Sequence, residues 1–60
     1  MTFIVTGLSV SGPALIGCDS EVDALKKAAE LIGAGFADVL IADGAGVQYT
    51  PGQLLRAFHL

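Results

Sequence analysis

Few side chains in this sequence have the chemistry of a catalyst or a ligand set, and they are scattered along it. There is one cysteine, Cys18, and one histidine, His59. A thiol becomes a nucleophile when a neighbouring base or the positive end of a helix lowers its pKa. Cys18 stands just before a helical segment, but the single histidine lies in a different segment far along the chain. Cys18 therefore reads as a small buried hydrophobe. His59 follows Arg56 at the end of a second helical segment, where cations complement the helix dipole, and reads as a capping or exposed residue. The carboxylates Asp19, Glu21, Asp23, Asp38 and Asp43 show neither zinc-site nor EF-hand spacing. The first three suit the start of a helix and Asp43 suits a turn. No catalytic, cofactor-binding or metal-binding residue is assigned.

The most chemistry-like stretch is "DGAGVQYTP", residues 43 to 51, where two glycines follow an acidic residue and a short apolar run. A dinucleotide fingerprint needs G-x-G-x-x-G between a strand and a helix. Here the third glycine position is Tyr49, and the loop leads into another strand-like run. The Gly-Lys-Ser/Thr of a Walker loop is also missing, so the stretch is expected to be a hairpin turn. The earlier "GAGFAD", residues 33 to 38, follows a helical segment instead of opening one and reads as a helix end.

Composition bounds the function further. The 60 residues carry six acidic and three basic side chains, for a net charge of −3. Nucleic-acid backbones are held by clustered Lys and Arg; Lys26, Lys27 and Arg56 are the whole supply, so no nucleic-acid partner is expected. Residues 1 to 18 lack charge, but Thr2, Thr6, Ser9, Ser11 and "SGP" interrupt them and there is no basic leader. No membrane or export segment is expected, and a lone cysteine fits a reducing, cytoplasmic setting. Hydrophobic residues make up 53% of the chain and charged residues 15%, with a mean hydropathy of +0.71. So small a domain has a marginal core and too little interior to hide all of that. An oligomer, a dimer or a complex with a protein partner, is the leading structural expectation.

The elements follow from periodicity and punctuation. "TFIVTGLSV" is β-branched and carries apolar residues on both parities, Phe3 and Val5 on one and Ile4, Leu8 and Val10 on the other, which suggests a strand with both faces at least partly covered. "SGP" breaks the run and "ALIGC" returns as a second strand, completing a hairpin over residues 2 to 18. Ser20 caps the helix "DSEVDALKKAAELIGAGF", with Asp23 three residues on. Its apolar stripe is expected at Val22, Leu25, Ala28, Ala29 and Ile32, with an Asp23–Lys27 pair on the wet side. Gly35 is placed as the left-handed residue of a Schellman cap bringing Leu31 to Phe36. "ADVLIAD" and "VQYT" form a second hairpin, with Val47 and Tyr49 on one face. Thr50, Pro51 and Gln53 spell a capping box for a short last helix. The fold class is α+β, ordered ββαββα, in one 1–60 domain: two β-hairpins in one sheet, the main helix across one face and a short C-terminal helix.

Leu54, Leu55, Phe58 and Leu60 in that last helix are the candidate interface. They either close the chain's own core or dock on a partner, as amphipathic helices do in grooves. A small molecule held in a pocket between subunits is the alternative function class.

The hairpin, helix, hairpin order with "YTPGQLL" at 49 to 55 resembles small uncharacterised bacterial proteins of about this length, and that resemblance implies a fold without an activity. "GC" at 17 and 18 followed by "DALKKAAELI" at 23 to 32 is similar to HicB-type antitoxins. That resemblance implies a toxin-binding partner and no catalytic residue. The spacer after Gly17-Cys18 is shorter than in that family, and no separate DNA-binding segment follows.

Overall fold

The computed structural model describes residues 2–57. Its elements are β1 (Phe3–Ser9), β2 (Gly12–Cys18), α1 (Glu21–Gly33), β3 (Ala37–Ala42), β4 (Gln48–Tyr49) and α2 (Pro51–Ala57), which is the ββαββα order of an α+β fold. The four strands form one sheet in the order β2-β1-β3-β4, each neighbouring pair antiparallel. β2 and β3 both oppose β1 and therefore run parallel to each other. A parallel pair cannot be joined by a tight turn, and α1 is the crossover that carries the chain over β1.

The first hairpin closes at a two-residue turn, Val10–Ser11, with Ser9 paired to Gly12. Gly12 has φ 119°, a conformation open to glycine at no steric cost. Ser9 Oγ accepts from the Ser11 N–H at 3.2 Å and donates to the Gly12 carbonyl at 3.1 Å. The turn thus falls one residue before the "SGP" that marks it in the sequence. Gly12 and Pro13 belong to β2, and Val10 is fully exposed at the tip and not on a strand face.

Both helices start as their sequences specify. Ser20 Oγ accepts the Asp23 N–H at 3.2 Å. Thr50 and Gln53 make the full reciprocal box, Gln53 N–H to Thr50 Oγ1 at 3.2 Å and Thr50 N–H to Gln53 Oε1 at 3.0 Å. α1 ends in a Schellman arrangement: the Phe36 N–H reaches the Leu31 carbonyl at 3.0 Å and the Gly35 N–H reaches that of Ile32 at 3.1 Å, with Gly35 at φ 92°.

The buried face of α1 agrees with the expected stripe at Ala28 and, in part, at Leu25, and departs from it elsewhere. Ala24, Ala28 and Leu31 face the sheet with Leu25 beside them, while Val22, Ala29 and Ile32 are exposed. The inner face of the sheet supplies large residues, Phe3, Val5, Val39 and Ile41. Close packing of such a layer needs small residues opposite, and the alanines supply them. Lys27 pairs with Glu30 at 3.0 Å and not with Asp23, an exposed contact of small energetic weight. Leu54 of α2 completes the core, with none of its surface exposed.

β1 and β3 pair through a bulge. Between the Thr6–Leu40 and Leu8–Ala37 pairs, Gly7 stands alone against Asp38 and Val39. Asp38 absorbs the extra residue at φ 53°, a left-handed conformation that Asp tolerates better than most side chains. Gly7 allows a close approach from the other side: a Cβ there would lie 3.3 Å from both Phe36 Cβ and Val39 Cγ2, tight enough that one of them would have to give.

Candidate functional site

The 43–47 loop is built around its own anion. Asp43 Oδ1 accepts the N–H groups of Ala45 at 2.9 Å and Val47 at 3.0 Å, and Oδ2 accepts the Tyr49 hydroxyl at 3.1 Å. Backbone bonds close the same loop, Asp43 N–H to the Val47 carbonyl and Gly46 N–H to the Asp43 carbonyl, both at 3.0 Å. The N–H groups that would cradle a phosphate in a glycine-rich loop are thus turned onto a side-chain carboxylate. The Val47 N–H bond, with help from Tyr49 and the Ala45 and Gly46 N–H groups, holds the Asp43 carboxyl below the usual carboxylate range against a weaker opposing effect of burial. The same contact with Asp43, followed by burial, raises the Tyr49 phenol. The loop is a hairpin turn. It takes in Val47, so β4 is shorter than "VQYT" suggests and Val47 does not share a strand face with Tyr49.

Cys18 ends β2 inside the core. Burial raises its thiol pKa, the charges of Asp23 and Asp19 raise it further, and Lys27 opposes them. That is the reverse of what a thiolate nucleophile needs. His59 lies outside the described residues. Among the described residues no group of three or more His, Cys, Asp or Glu is placed to hold a metal ion. No helix among them is long and apolar enough to cross a membrane.

Of the candidate interface residues, Leu54 is taken up by the chain's own core, whereas Leu55 is 44% exposed. Phe58 and Leu60 lie outside the described residues.

The large open apolar surface is elsewhere, on the face of the sheet away from the helices. Strand pairing sets its layout: Ile4, Thr6 and Leu8 of β1 run down the middle, Pro13, Leu15 and Gly17 of β2 lie to one side, and Leu40 and Ala42 of β3 to the other. Both helices pack on the opposite face, so nothing among the described residues covers this one. Leu15 is 75% exposed and Leu8 51%, and Ile4 is also open. Between these strands lies a shallow apolar hollow of about 240 Å³ lined by Thr6, Leu8, Pro13, Leu15, Asp38 and Leu40. Among the described residues Asp38 is the only charged side chain on this face, and it sits at the bulge.

Apolar residues on both parities of β1 suggest that both faces are at least partly covered; among the described residues only the Phe3 and Val5 parity is covered.

Comparison with protein-family models, with curated proteins and with solved structures finds no significant match.

Proposed function

We propose that this chain is a non-enzymatic, cytoplasmic protein that acts through protein contacts, as a homodimer or within a hetero-complex. The observation that carries the reading is the uncovered sheet face, where Ile4, Leu8 and Leu15 stand open to solvent around an apolar hollow. Contiguous apolar surface of this kind marks interaction sites in small proteins. The chemistry of the individual groups adds support: the thiol is buried with a raised pKa, and the glycine loop is closed on Asp43.

The test is solution molar mass by light scattering over a dilution series, with native mass spectrometry on the same sample. A dimer, a larger assembly or a stable complex with a second protein is expected; a 6.1 kDa species at every concentration, with no co-purifying protein, would sink the reading.

The hollow supports a second reading, a small apolar ligand enclosed when two subunits meet over it. A bound mass retained in the native spectrum of the assembly would favour it, and an assembly of bare chains would count against it.

A further inference from the structure

We propose that the uncovered sheet face is closed by the same face of a second copy of this chain, the two sheets packing face to face about a two-fold axis. The proposal rests on the interaction reading above and names its partner.

The edges of the sheet argue for contact through the face. Pro13 lies in the edge strand β2 and takes one N–H from the ladder that an added strand would use. The other edge, β4, is two residues long and runs straight into Thr50 and Pro51. Edges so shortened and interrupted are poor templates for strand addition.

Charge argues for a second copy. Lys26 and Lys27 lie on α1 and Arg56 on α2, so among the described residues the open face carries no Lys or Arg to recruit an acidic partner. Among the described residues its single anion is Asp38, an exposed side chain at the bulge that lines one wall of the hollow. A facing copy buries no cation, and it keeps the acidic start of each α1 on the far side of its own sheet.

Shape and area agree. An isologous contact needs one patch that is both knob and socket. Leu8 and Leu15 project beside a hollow of about 240 Å³, below the roughly 300 Å³ where small-molecule pockets begin and suited to a side chain. Strand spacing and rise put the face at roughly 400 Å² in plan. With side chains standing off it, each copy would bury about 500 Å², and the pair roughly 1,000 Å², the least that a biological contact buries and the size of a weak, concentration-dependent dimer. The sheets would lie about 10 Å apart with strands within about 30° of alignment.

The competing surface is the outer stripe of α1, where Ile32 is 53% exposed. Light scattering on the full chain, on Leu15→Lys and on Ile32→Lys separates the two. Expected is a wild-type mass of twice 6.1 kDa, a monomeric Leu15→Lys with unchanged far-UV circular dichroism, and a dimeric Ile32→Lys. Because a two-fold contact counts the change twice, the dissociation constant of Leu15→Lys should rise by at least about 100-fold. If Ile32→Lys dissociates and Leu15→Lys stays assembled, the sheet-face proposal falls while the interaction reading stands. If the wild type is a monomer throughout, or assembles only with a different protein, the proposal falls, and a solitary monomer takes the interaction reading with it. Should Leu15→Lys fail to fold, carbene footprinting of the wild type on either side of its dissociation midpoint decides. Ile4, Leu8 and Leu15 should be protected only at high concentration, and equal labelling at both would overturn the proposal.

Discussion

Leu54→Ala tests whether α2 is part of the chain's own core. Leu54 is the buried residue of α2 and has none of its surface exposed. Truncating a fully buried leucine costs about 2–5 kcal/mol, from lost transfer free energy and from the cavity left behind. A chain of this length holds about 3–9 kcal/mol in all. The substitution should therefore remove between about a quarter and all of the stability, and lower Tm by about 8 to 40 °C at the 4–8 °C per kcal/mol of small domains. The next residue is the control. Leu55 is 44% exposed, and Leu55→Ala should cost about 1 kcal/mol or less.

Urea and thermal melts of the two variants, each at two concentrations tenfold apart, keep folding separate from association. Cys18 offers an independent readout, since its thiol is buried and is reached by alkylating reagents when the core opens. A loss of about 2 kcal/mol should raise its labelling rate roughly 30-fold under pre-equilibrium conditions. If Leu54→Ala and Leu55→Ala melt within 1 kcal/mol of each other and label alike, α2 is not seated as described.

Two further outcomes follow from the bulge and the loop. Gly7→Ala forces Phe36 or Val39 to move by a few tenths of an ångström and should cost about 1–3 kcal/mol in urea melts. Asp38→Gly relieves a left-handed φ of 53° and should be neutral to about 1 kcal/mol stabilising; a clear loss would mean that the Asp38 side chain contributes something the bulge does not explain. The folded carboxyl of Asp43 titrates below its unfolded value. Its contribution to stability is therefore complete above the ordinary carboxylate range near pH 4 and is lost as pH falls through the lower folded value. Tyr49 works the other way: its raised phenol contributes below about pH 10 and loses that contribution as pH climbs through the folded value. Asp43→Ala should melt at a lower temperature than wild type at pH 7 and show a flatter acid limb below pH 4, read from melts across pH. An unchanged acid limb would show that the loop bonds carry no stability.

Features set by local chemistry were readable in the sequence. Ser20, Thr50, Pro51, Gln53 and Gly35 each need only their near neighbours to cap or end a helix, and the ββαββα order follows from them and from the β-branched runs. The face of α1 was not readable in the same way because two stripes compete. Val22, Leu25, Ala28, Ala29 and Ile32 recur at helical spacing, and so do Ala24, Ala28 and Leu31, the two stripes sharing Ala28. Hydropathy ranks the bulkier set first. What decides is volume: Phe3, Val5 and Ile41 already fill the space under the helix, and that information lies in strands 20 or so residues away along the chain. The bulge was hidden for a similar reason, since Gly7 has meaning only once Phe36 is known to lie against it.

The open face has a further consequence for how the fold is specified. Where one side of a sheet meets water, polar residues on that parity make a register slip expensive, because a slip by one residue would expose the core set. In β1 the outer positions Ile4 and Leu8 are themselves apolar, so alternation alone gives a weak register signal. Steric devices take over: the two-residue Val10–Ser11 turn fixes β1 to β2, and the Gly7 notch under Phe36, with Asp38 taking the extra residue, fixes β1 to β3. Replacing Ile4, Leu8 and Leu15 with threonine or lysine would sharpen the register of an isolated monomer at no cost to its core, since none of the three is in it. Apolar residues at those positions oppose solubility and weaken pairing in a lone chain. Their effect becomes favourable when a second surface removes them from water, and this links the sheet face to association more directly than the total hydrophobic content of the chain does.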